Sequence, residues 1–468
     1  MSMSSKYDPV NRSVIPVFLR YAIPSVIGML AMSSAFVIDG IFVGNYIGTS
    51  ALAAINLAMP VWSGLFAIIT MLAVGSCVMS GKYLGEGDYA SANDIFSKSL
   101  ACALFFALVT AALGLFFLDS LIAALGTTAE LTDLVNTYLT IILGFSPVFL
   151  LGFTLFYFVR VDNNPLLASS SLIASAVLNV ILDWIFIVEL DMGIEGAAYG
   201  TAIGHGSPLL TLLPHFFRKT RHLKLVPLTG SWSAIPHAMA NGFSEFVNEF
   251  SAGLTTLLLN WIMITRLGVS GVAAFTIVNY LFFIGLMTFA GIGESLQPLI
   301  SKNYGARQPE KMTQFVIVAL FSISLIAVVI CGLLITIPDL LIGFFLQENE
   351  TSTIDIATRF IFFFWPAFIF SGLNITLSEY FTACHKPLHS ASIAVSRSLF
   401  LPLIFLITLP IWLDEIGIYI SIPLAELFAF LLALALITKN KPKKLVEALA
   451  HNLWKQYHAK VHTILRKR

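Results

Sequence analysis

Residues 47–87 read IGTSALAAINLAMPVWSGLFAIITMLAVGSCVMSGKYLGEG, and residues 267–307 read LGVSGVAAFTIVNYLFFIGLMTFAGIGESLQPLISKNYGAR. At a constant offset of 220 the two stretches share Gly48/Gly268, Ser50/Ser270, Ala53/Ala273, Ala54/Ala274, Lys82/Lys302 and Gly85/Gly305. A second match pairs FVRVDNNPLLASSS with FTACHKPLHSAS and aligns Pro165 with Pro387. Chance similarity between apolar segments is the alternative, but the shared Lys-x-x-Gly ending favours an internal repeat.

The composition is that of an integral membrane protein. Hydrophobic residues make up 57% of the 468 residues and charged residues 11%, against about 45–50% and 25% in soluble proteins. Basic and acidic residues both total 26, which excludes a basic nucleic-acid-binding chain and an acidic disordered one. The four cysteines are far apart and lack CxxC spacing, so we expect neither a disulfide framework nor a zinc site.

Twelve stretches are long and apolar enough to cross a bilayer, which takes about 20 residues each. They are 14–45, 52–80, 92–118, 131–157, 165–188, 193–217, 234–265, 270–299, 312–337, 356–382, 388–411 and 416–438. We therefore predict an all-α membrane protein of twelve transmembrane helices in two six-helix bundles, without a cleavable signal peptide. Because six is even, both bundles enter from the same side, and the pseudo-twofold axis between them runs along the membrane normal.

The positions of Lys and Arg orient these helices. With the N-terminus in the cytoplasm, all of them lie on that side except Arg266, Arg359 and Arg397. This asymmetry predicts twelve spans with both termini cytoplasmic. The expected location is a plasma membrane (bacterial inner membrane). The basic, turn-rich segment 218–233 separates an N-terminal lobe, 1–217, from a C-terminal lobe, 234–438.

The basic tail, 439–468, carries apolar residues near one helical face, at Leu449, Leu453, Tyr457 and Ile464. This pattern fits an amphipathic helix lying on the membrane surface. A solvated helical tail is the other interpretation.

Acidic side chains inside the predicted spans are the main candidates for function, because charges there are costly. There are seven, at Asp39, Asp183, Glu245, Glu249, Glu294, Glu379 and Glu426. Arg397 is the only comparably placed base, so structural ion pairs cannot account for all of them. The imbalance indicates proton or cation handling.

The first candidate site lies in the N-terminal half. Asp39 is next to Gly40, where a neighbouring helix can approach closely and bury the carboxylate, and a buried acid takes up a proton more readily. Asn179 and Asp183 are four residues apart and share one helix face, and the hydroxyl of Thr201 can complete an oxygen cluster suited to H+ or Na+. One alternative is that Asp39 lies near the outer end of its helix and is hydrated among the lipid headgroups. Another is that Asn179 and Thr201 only form hydrogen bonds between helices.

The second candidate site lies in the C-terminal half. Glu245 and Glu249 share a helix face, where their like charges favour protonation or cation binding. Glu294 and Gln297 follow in GIGESLQP and can line a cavity with Glu249. The alternative places these acids in the cytoplasmic water layer.

The remaining polar residues suggest structural roles. Glu379 and Arg397 lie on adjacent spans and are interpreted as a buried ion pair, whereas Glu426 has no identifiable partner. His385 and His389 have a spacing that can suit a metal, but they are expected in a solvated loop. No phosphate-binding GxxxxGK[ST] motif and no nucleophile elbow occurs in the sequence, so we predict neither ATP drive nor an enzyme.

Together these features resemble the multidrug and toxic compound extrusion (MATE) family, most closely its DinF-like and MepA-like branch. The resemblance covers about residues 14–438. It depends on three motifs in this order: DGIFVGNYIGTSALAA from Asp39, NVILD from Asn179 followed by GIEGAAYGTAIG, and ESLQPLISKNYGA from Glu294.

The resemblance implies two lobes in a V with a central cleft, and export of amphipathic, often cationic drugs or dyes in exchange for H+ or Na+. It implies no cofactor and no metal beyond Na+. The expected partners are drugs or dyes and the lipid bilayer, with no nucleic acid and no obligate protein partner. The family's N-lobe ion site matches Asp39, Asn179, Asp183 and Thr201. Other branches use acids on the seventh and tenth spans; Glu249 fits the former, but the tenth span has no clear match.

The expected mechanism is alternating access. A proton or Na+ reaches the N-lobe cluster in the outward-open state, and its neutralised acids let the first helix repack about Pro24. The cleft then releases its cargo. Candidate cleft residues are one methionine and four aromatic residues, which at this spacing also suit a core or a lipid-facing surface: Met59, Trp62, Tyr138, Phe153 and Tyr157.

Two other functions are compatible with the helix count. A flippase for a lipid-linked oligosaccharide or another lipid, within the same superfamily, would need a cationic cavity, whereas the buried charges here are mostly acidic and favour cationic cargo. A multispanning enzyme such as a polyprenyl glycosyltransferase usually carries catalytic acids on sizeable loops, and the external loops here are short.

Overall fold

The computed structural model describes residues 8–219, 221–343 and 351–451. These residues form helices and connecting turns, with no strand among them. The long helices are α1 Val14–Ile47, α2 Thr49–Glu86, α3 Tyr89–Phe116, α4 Ala129–Val161, α5 Pro165–Glu189, α6 Gly193–Leu212, α7 Phe243–Gly268, α8 Ser270–Gly305, α9 Pro309–Thr336, α10 Thr351–Phe364 with Pro366–Ala383, α11 387–413 and α12 415–439. The predicted twelve-helix, all-α fold is confirmed.

Four of the twelve spans are parts of longer helices that break at a single residue, Gly268 between α7 and α8 and Asp414 between α11 and α12. The helix Pro387–Lys439 has 53 residues and would be about 80 Å long if straight, far more than a bilayer. It breaks at Asp414, where φ is +46°, and so provides α11 and α12. The two parts of α10 meet at a bend of 49°, where Pro366 begins the second part.

The glycine pair Gly48/Gly268 in the repeat marks equivalent turns. Gly48 has φ +119° between α1 and α2, and Gly268 has φ +67° between α7 and α8. Residues other than glycine rarely adopt such angles. The identity therefore preserves the turn between the first two helices of each lobe.

The contact between α2 and α8 reveals the symmetry of the two lobes. A Cβ added at Gly85 would lie 2.0 Å from the carbonyl oxygen of Lys302, and one added at Gly305 would lie 2.0 Å from that of Lys82. The offset of 220 exchanges these two contacts. The pseudo-twofold axis therefore passes between α2 and α8.

A second pair of equivalent contacts extends the repeat to the first span of each lobe. The hydroxyl of Tyr21 donates to the carbonyl oxygen of Arg160 at 3.4 Å, and Asn241 Nδ2 donates to that of Thr382 at 2.9 Å. The offsets are 220 and 222. The predicted seventh span, 234–265, differs from α1 in being broken at Gly242, after the short helix Ala234–Asn241.

The segment between the lobes is held against the N-terminal lobe. Its backbone amides at His222 and Val226 donate to Asp162 Oδ1 at 2.8 Å and to Ser97 Oγ at 2.9 Å. We call this end of the bundle, which carries the α2–α3, α4–α5, α8–α9 and α10–α11 turns, the basic end.

Beyond α12, residues 442–451 form a helix that packs on the C-terminal lobe. Leu445, Val446 and Leu449 are buried in that lobe's core. The predicted amphipathic positions Leu453, Tyr457 and Ile464 lie outside the described residues.

Candidate functional site

Glycines on α6 bring α5 unusually close and so create the first candidate site. A Cβ at Gly200 would lie 2.1 Å from Asp183 Oδ1, and a Cβ at Gly204 would lie 2.7 Å from the Cβ of Asn179. Ser175 Oγ donates to the carbonyl oxygen of Gly204 at 2.7 Å. Small residues four apart permit this packing, which buries the Asn179 and Asp183 side chains against the backbone of α6.

The structure brings together the four predicted residues of this site. Asp183 is 0% exposed, Asn179 3% and Thr201 6%, while the carboxyl group of Asp39 on α1 lies within electrostatic range of Asp183. Buried atoms of all four lack a hydrogen-bond partner in the described structure: Asp39 Oδ1, Asn179 Nδ2, both Asp183 oxygens and Thr201 Oγ1. Buried polar atoms are seldom left unpaired, and the two carboxyl groups are close enough to interact with each other.

The backbone changes geometry beside both carboxylates. The last α-helical residue of α5 is Asp183, and Trp184–Glu189 continue as a π-helix. On α1 a π-helical turn covers Val43–Ile47, one turn after Asp39. Such turns are rare and often found at functional sites.

Tyr138 and Trp62 close one side of the cluster. Tyr138 is buried on α4 and interacts electrostatically with both Asp39 and Asp183, while its hydroxyl lies near Trp62 and Thr201. The sequence assigned Tyr138 to the cleft, but the structure puts it beside the acids. Trp62 stacks on Phe149 at 4.9 Å.

The chemistry of this donor set suits a proton or a small cation. Two carboxylates, an amide oxygen and a hydroxyl offer only hard oxygen ligands. None of the ion pairs in the described residues involves Asp39 or Asp183. Among those residues, no group of three or more His, Cys, Asp or Glu side chains is arranged to hold a metal.

The second candidate site lies where the two lobes meet. Glu294 on α8 accepts from Arg160 Nη1 at 2.7 Å and from the Tyr157 hydroxyl at 3.3 Å. The Arg160 side chain is 1% exposed and that of Glu294 13%. This pair therefore joins α4 of one lobe to α8 of the other in a largely dry environment.

The other members of the second site surround this pair. Gln297 Nε2 donates to Glu379 Oε2 at 2.6 Å, and Glu379 in turn interacts with Glu245 of α7. Glu249 has an exposed side chain within electrostatic range of Glu294. Glu249, Glu294 and Gln297 thus lie around one interface, but Glu294 and Gln297 have different hydrogen-bond partners, and the three side chains do not form one ligand set.

The predicted Glu379–Arg397 pair is wrong. Arg397 Nη2 instead donates to Glu426 Oε1 at 2.9 Å, and Asn374 Nδ2 donates to Glu426 Oε2 at 2.7 Å. Glu426, which had no identifiable partner, therefore has two. Which acid faces Arg397 depends on how α10, α11 and α12 rotate against each other, and spacing along the chain does not reveal that.

The remaining cleft candidates line the interior of the N-terminal lobe. Phe153 on α4 packs edge-on against Tyr157 at 5.3 Å, Tyr157 is buried, and Met59 is partly buried against the lobe's core. The rings of Trp62, Phe66, Phe153 and Tyr157 contact one another in series and so connect α2 to α4.

The prediction of a solvated loop at the two histidines holds only in part. His385 is half-buried in the α10–α11 turn, and its Nε2 is buried without a partner. Burial and the nearby Lys82 ammonium lower the pKa of His385 to about 3. A neutral imidazole therefore packs at the basic end.

Arg160 is the residue that the sequence analysis missed. It was counted with the cytoplasmic bases because it follows the apolar stretch of the fourth span, yet it is buried at the lobe interface. Arg160 directly follows the apolar residues FYFV and still belongs to the α4 helix. Extending the predicted fourth span to the end of this helix would have identified Arg160 as a buried base.

A comparison with known families gives an extended match. The family model described as MatE matches residues 24–185 and 252–408. Multidrug export protein MepA of Staphylococcus aureus (strain NCTC 8325 / PS 47) is 24% identical over 430 residues, covering 90% of this chain and 94% of that protein. MepA of Staphylococcus saprophyticus is 24% identical over 433 residues, covering 91% and 94%.

Solved structures match the fold over almost the whole chain. A structure described as "Crystal structure of MATE in complex with MaL6" has a TM-score of 0.89 and 20% identity, covering 96% of this chain and 100% of that one. A second, described as "Outward-facing conformation of a multidrug resistance MATE family transporter of the MOP superfamily", has a TM-score of 0.87 and 21% identity, with the same coverage.

Proposed function

This chain belongs to the MatE family, and on that premise we propose that it exports amphipathic, often cationic compounds in exchange for H+ or Na+. Its staphylococcal relatives are named multidrug export proteins. We place it in the bacterial inner membrane, as expected for a relative of these bacterial proteins. The basic end and both termini are assigned to the cytoplasm, because Lys and Arg concentrate there. The lobes are taken as 1–217 and 234–438, joined by 218–233.

The observation that carries the proposal is the set of buried carboxylates without a cation. Asp39 and Asp183 lie close enough to interact with each other, and no basic side chain of the described residues pairs with either carboxyl group. In the C-terminal lobe, by contrast, the buried Glu426 is neutralised by Arg397 at 2.9 Å. An acid pair without a built-in counter-charge gains most from an exchangeable ion, so we assign coupling to Asp39, Asn179, Asp183 and Thr201.

Closure of the basic end supports alternating access. Arg160 bridges to Glu294 at 2.7 Å, and Lys302 Nζ donates to Asn163 Oδ1 at 2.6 Å. With the α2–α8 glycine contact, these bonds join the lobes on the proposed cytoplasmic side. We therefore assign this conformation to a state closed on the cytoplasmic side, as expected when the N-lobe acids receive their ion from outside.

Coupling follows if ion and cargo differ in affinity between the two states. Neutralising Asp39 and Asp183 removes their repulsion and frees α1 to repack, with Pro24 inside that helix as its flexible point. When the basic end opens, Glu294 separates from Arg160. Together with Glu249 and Gln297 it then offers a negative surface to a cationic cargo.

The test is dye transport in proteoliposomes with proton and sodium gradients imposed independently, using an ethidium-like dye. Wild type should move the dye only when one of the two gradients is present, and Asp39→Asn and Asp183→Asn should lose that gradient-driven transport. Asp133→Asn is a matched control, because Asp133 is an exposed acid on α4, and it should transport normally.

Undiminished gradient-driven transport by Asp39→Asn would refute the ion site. Gradient-independent movement of a lipid-linked oligosaccharide, without dye transport, would instead support the flippase alternative.

A further inference from the structure

A basic cavity lies where α12 leaves the membrane at the basic end. It has a volume of about 470 Å3 and is lined by Thr438, Lys439, Lys441, Lys443, Lys444 and Glu447. Four lysines and one glutamate therefore border this space, and all four lysines are exposed. The Nζ of Lys444 donates to the carbonyl oxygen of Lys439 at 3.3 Å. Within the described structure, no ion pair involves any of these four lysines.

The lysines are carried by a turn that the rest of the lobe holds in place. Asn440 Nδ2 donates to the carbonyl oxygen of Leu436 at 2.9 Å, and the Tyr380 hydroxyl donates to that of Asn440 at 3.3 Å. On the other side, the helix 442–451 is anchored by Leu445 and Leu449, both buried in the core. The cavity is thus part of the folded lobe rather than a feature of a loose tail.

The surroundings of the cavity match a lipid more closely than a soluble anion. Leu431 is 51% exposed and Leu434 45% exposed on α12, and Leu434 lies only about 7 Å along the helix axis from Lys439. A molecule with a phosphate in the cavity could therefore lay its acyl chains along this apolar surface. A volume of this size also accommodates a glycerophosphate headgroup, since ligand cavities usually measure about 300–1,000 Å3.

We propose that this cavity binds the headgroup of an anionic phospholipid from the leaflet at the basic end. Lysines next to a membrane attract anionic headgroups, and here four of them border one open cavity on a turn that the lobe holds in place. The Tyr380–Asn440 bond connects the cavity to α10, next to Glu379 at the lobe interface. The inference is independent of the proposed transport reaction.

The test measures lipid binding to the purified chain in detergent by native mass spectrometry. Phosphatidylglycerol should bind in a defined complex that survives desolvation, and phosphatidylcholine should not. Replacing Lys439, Lys441, Lys443 and Lys444 by Gln should weaken phosphatidylglycerol binding by about fivefold per lysine removed. The corresponding Arg variant keeps the charge and should keep the lipid.

A control removes four other charges from the same end of the bundle, by replacing Arg218, Lys219, Arg221 and Lys224 with Gln. It should retain binding if the cavity is specific. Equal losses in both Gln variants, or equal binding of phosphatidylcholine, would overturn the proposal. So would inorganic phosphate that competes fully with the lipid, because the site would then be one for a soluble anion. The melting temperature without lipid checks that each variant is folded.

Discussion

The environment of Asp183 is set by the absence of a side chain on the opposite helix. Sequence alone identified Asp39 and Asp183 as acids in apolar surroundings and put Asn179 on the same face as Asp183. It did not identify Gly200 as the residue that determines how closely α5 approaches. The sequence also did not predict that Arg397 pairs with Glu426. This pairing depends on how each helix is rotated about its axis, and the uniformly apolar composition of these spans does not determine that rotation.

Substitution of Gly200 by Ala should displace the Asp183 carboxylate, because the new Cβ would lie 2.1 Å from Oδ1. We expect overpacking to cost about 1–3 kcal/mol of unfolding free energy and coupled transport to fall sharply. Gly144→Ala is the control: nothing lies within 4 Å of its added Cβ on α4, so it should keep both properties. The account fails here if the two variants transport alike.

Loss of Arg397 should be far more damaging than loss of an exposed arginine. Arg397→Gln leaves Glu426 buried without its counter-charge, at a cost of about 3–5 kcal/mol. Arg359 faces Glu415 at 3.9 Å with 68% of its side chain exposed, and Arg359→Gln should change stability by about 1 kcal/mol or less. Denaturant unfolding in detergent compares the two; equal effects would contradict the buried pairing.

At the scale of helices, the close contact between α2 and α8 helps to keep the basic end closed. The repeat predicted that these two helices correspond, and Gly85 and Gly305 were already among its identities. What the sequence could not supply is that the equivalent helices touch each other. A sequence repeat shows which helix of one lobe corresponds to which helix of the other. Whether two corresponding helices touch depends on how the folded lobes pack together.

Removal of the interlobe ion pair should open this end. Arg160→Gln breaks the 2.7 Å bond to Glu294, and the loss of about 1–3 kcal/mol would shift the population of open states roughly 5- to 150-fold. Spin labels at Ala90 and Glu310, which are exposed and equivalent across the axis, should report longer distances. They are placed in a chain without its four native cysteines.

Glu86→Gln provides the control for this measurement. Its partner Lys82 is 3.8 Å away on the same helix, so breaking that pair removes a charge at the basic end without cutting a link between lobes. Distances that change equally in both variants would show that the Arg160–Glu294 bond does not hold the lobes together.

At the scale of the whole molecule, the two lobes share a fold but not their chemistry. The repeat and the twelve spans were predictable because the lengths of the apolar stretches and the distribution of Lys and Arg can be read directly from the sequence. The difference between lobes was only partly predictable. With the offset of 220 Asp39 corresponds to Leu259, and with the offset of 222 Asp183 corresponds to Phe405, so the N-lobe acids have no copy in the other half. The conformational state could not be predicted, because it depends on bonds such as Arg160–Glu294 between distant segments.

The central claim is that a coupling ion at the N-lobe acids and cargo elsewhere in the cleft favour different conformational states, so that binding of one weakens binding of the other. Reciprocity between the two binding events tests this claim most directly. Purified protein in weakly buffered solution should release H+, or Na+ seen by an ion-selective electrode, when a saturating cationic dye is added. Asp39→Asn combined with Asp183→Asn should bind the dye and release neither ion, whereas Asp133→Asn should behave as wild type. Undiminished ion release from the double variant would contradict the account.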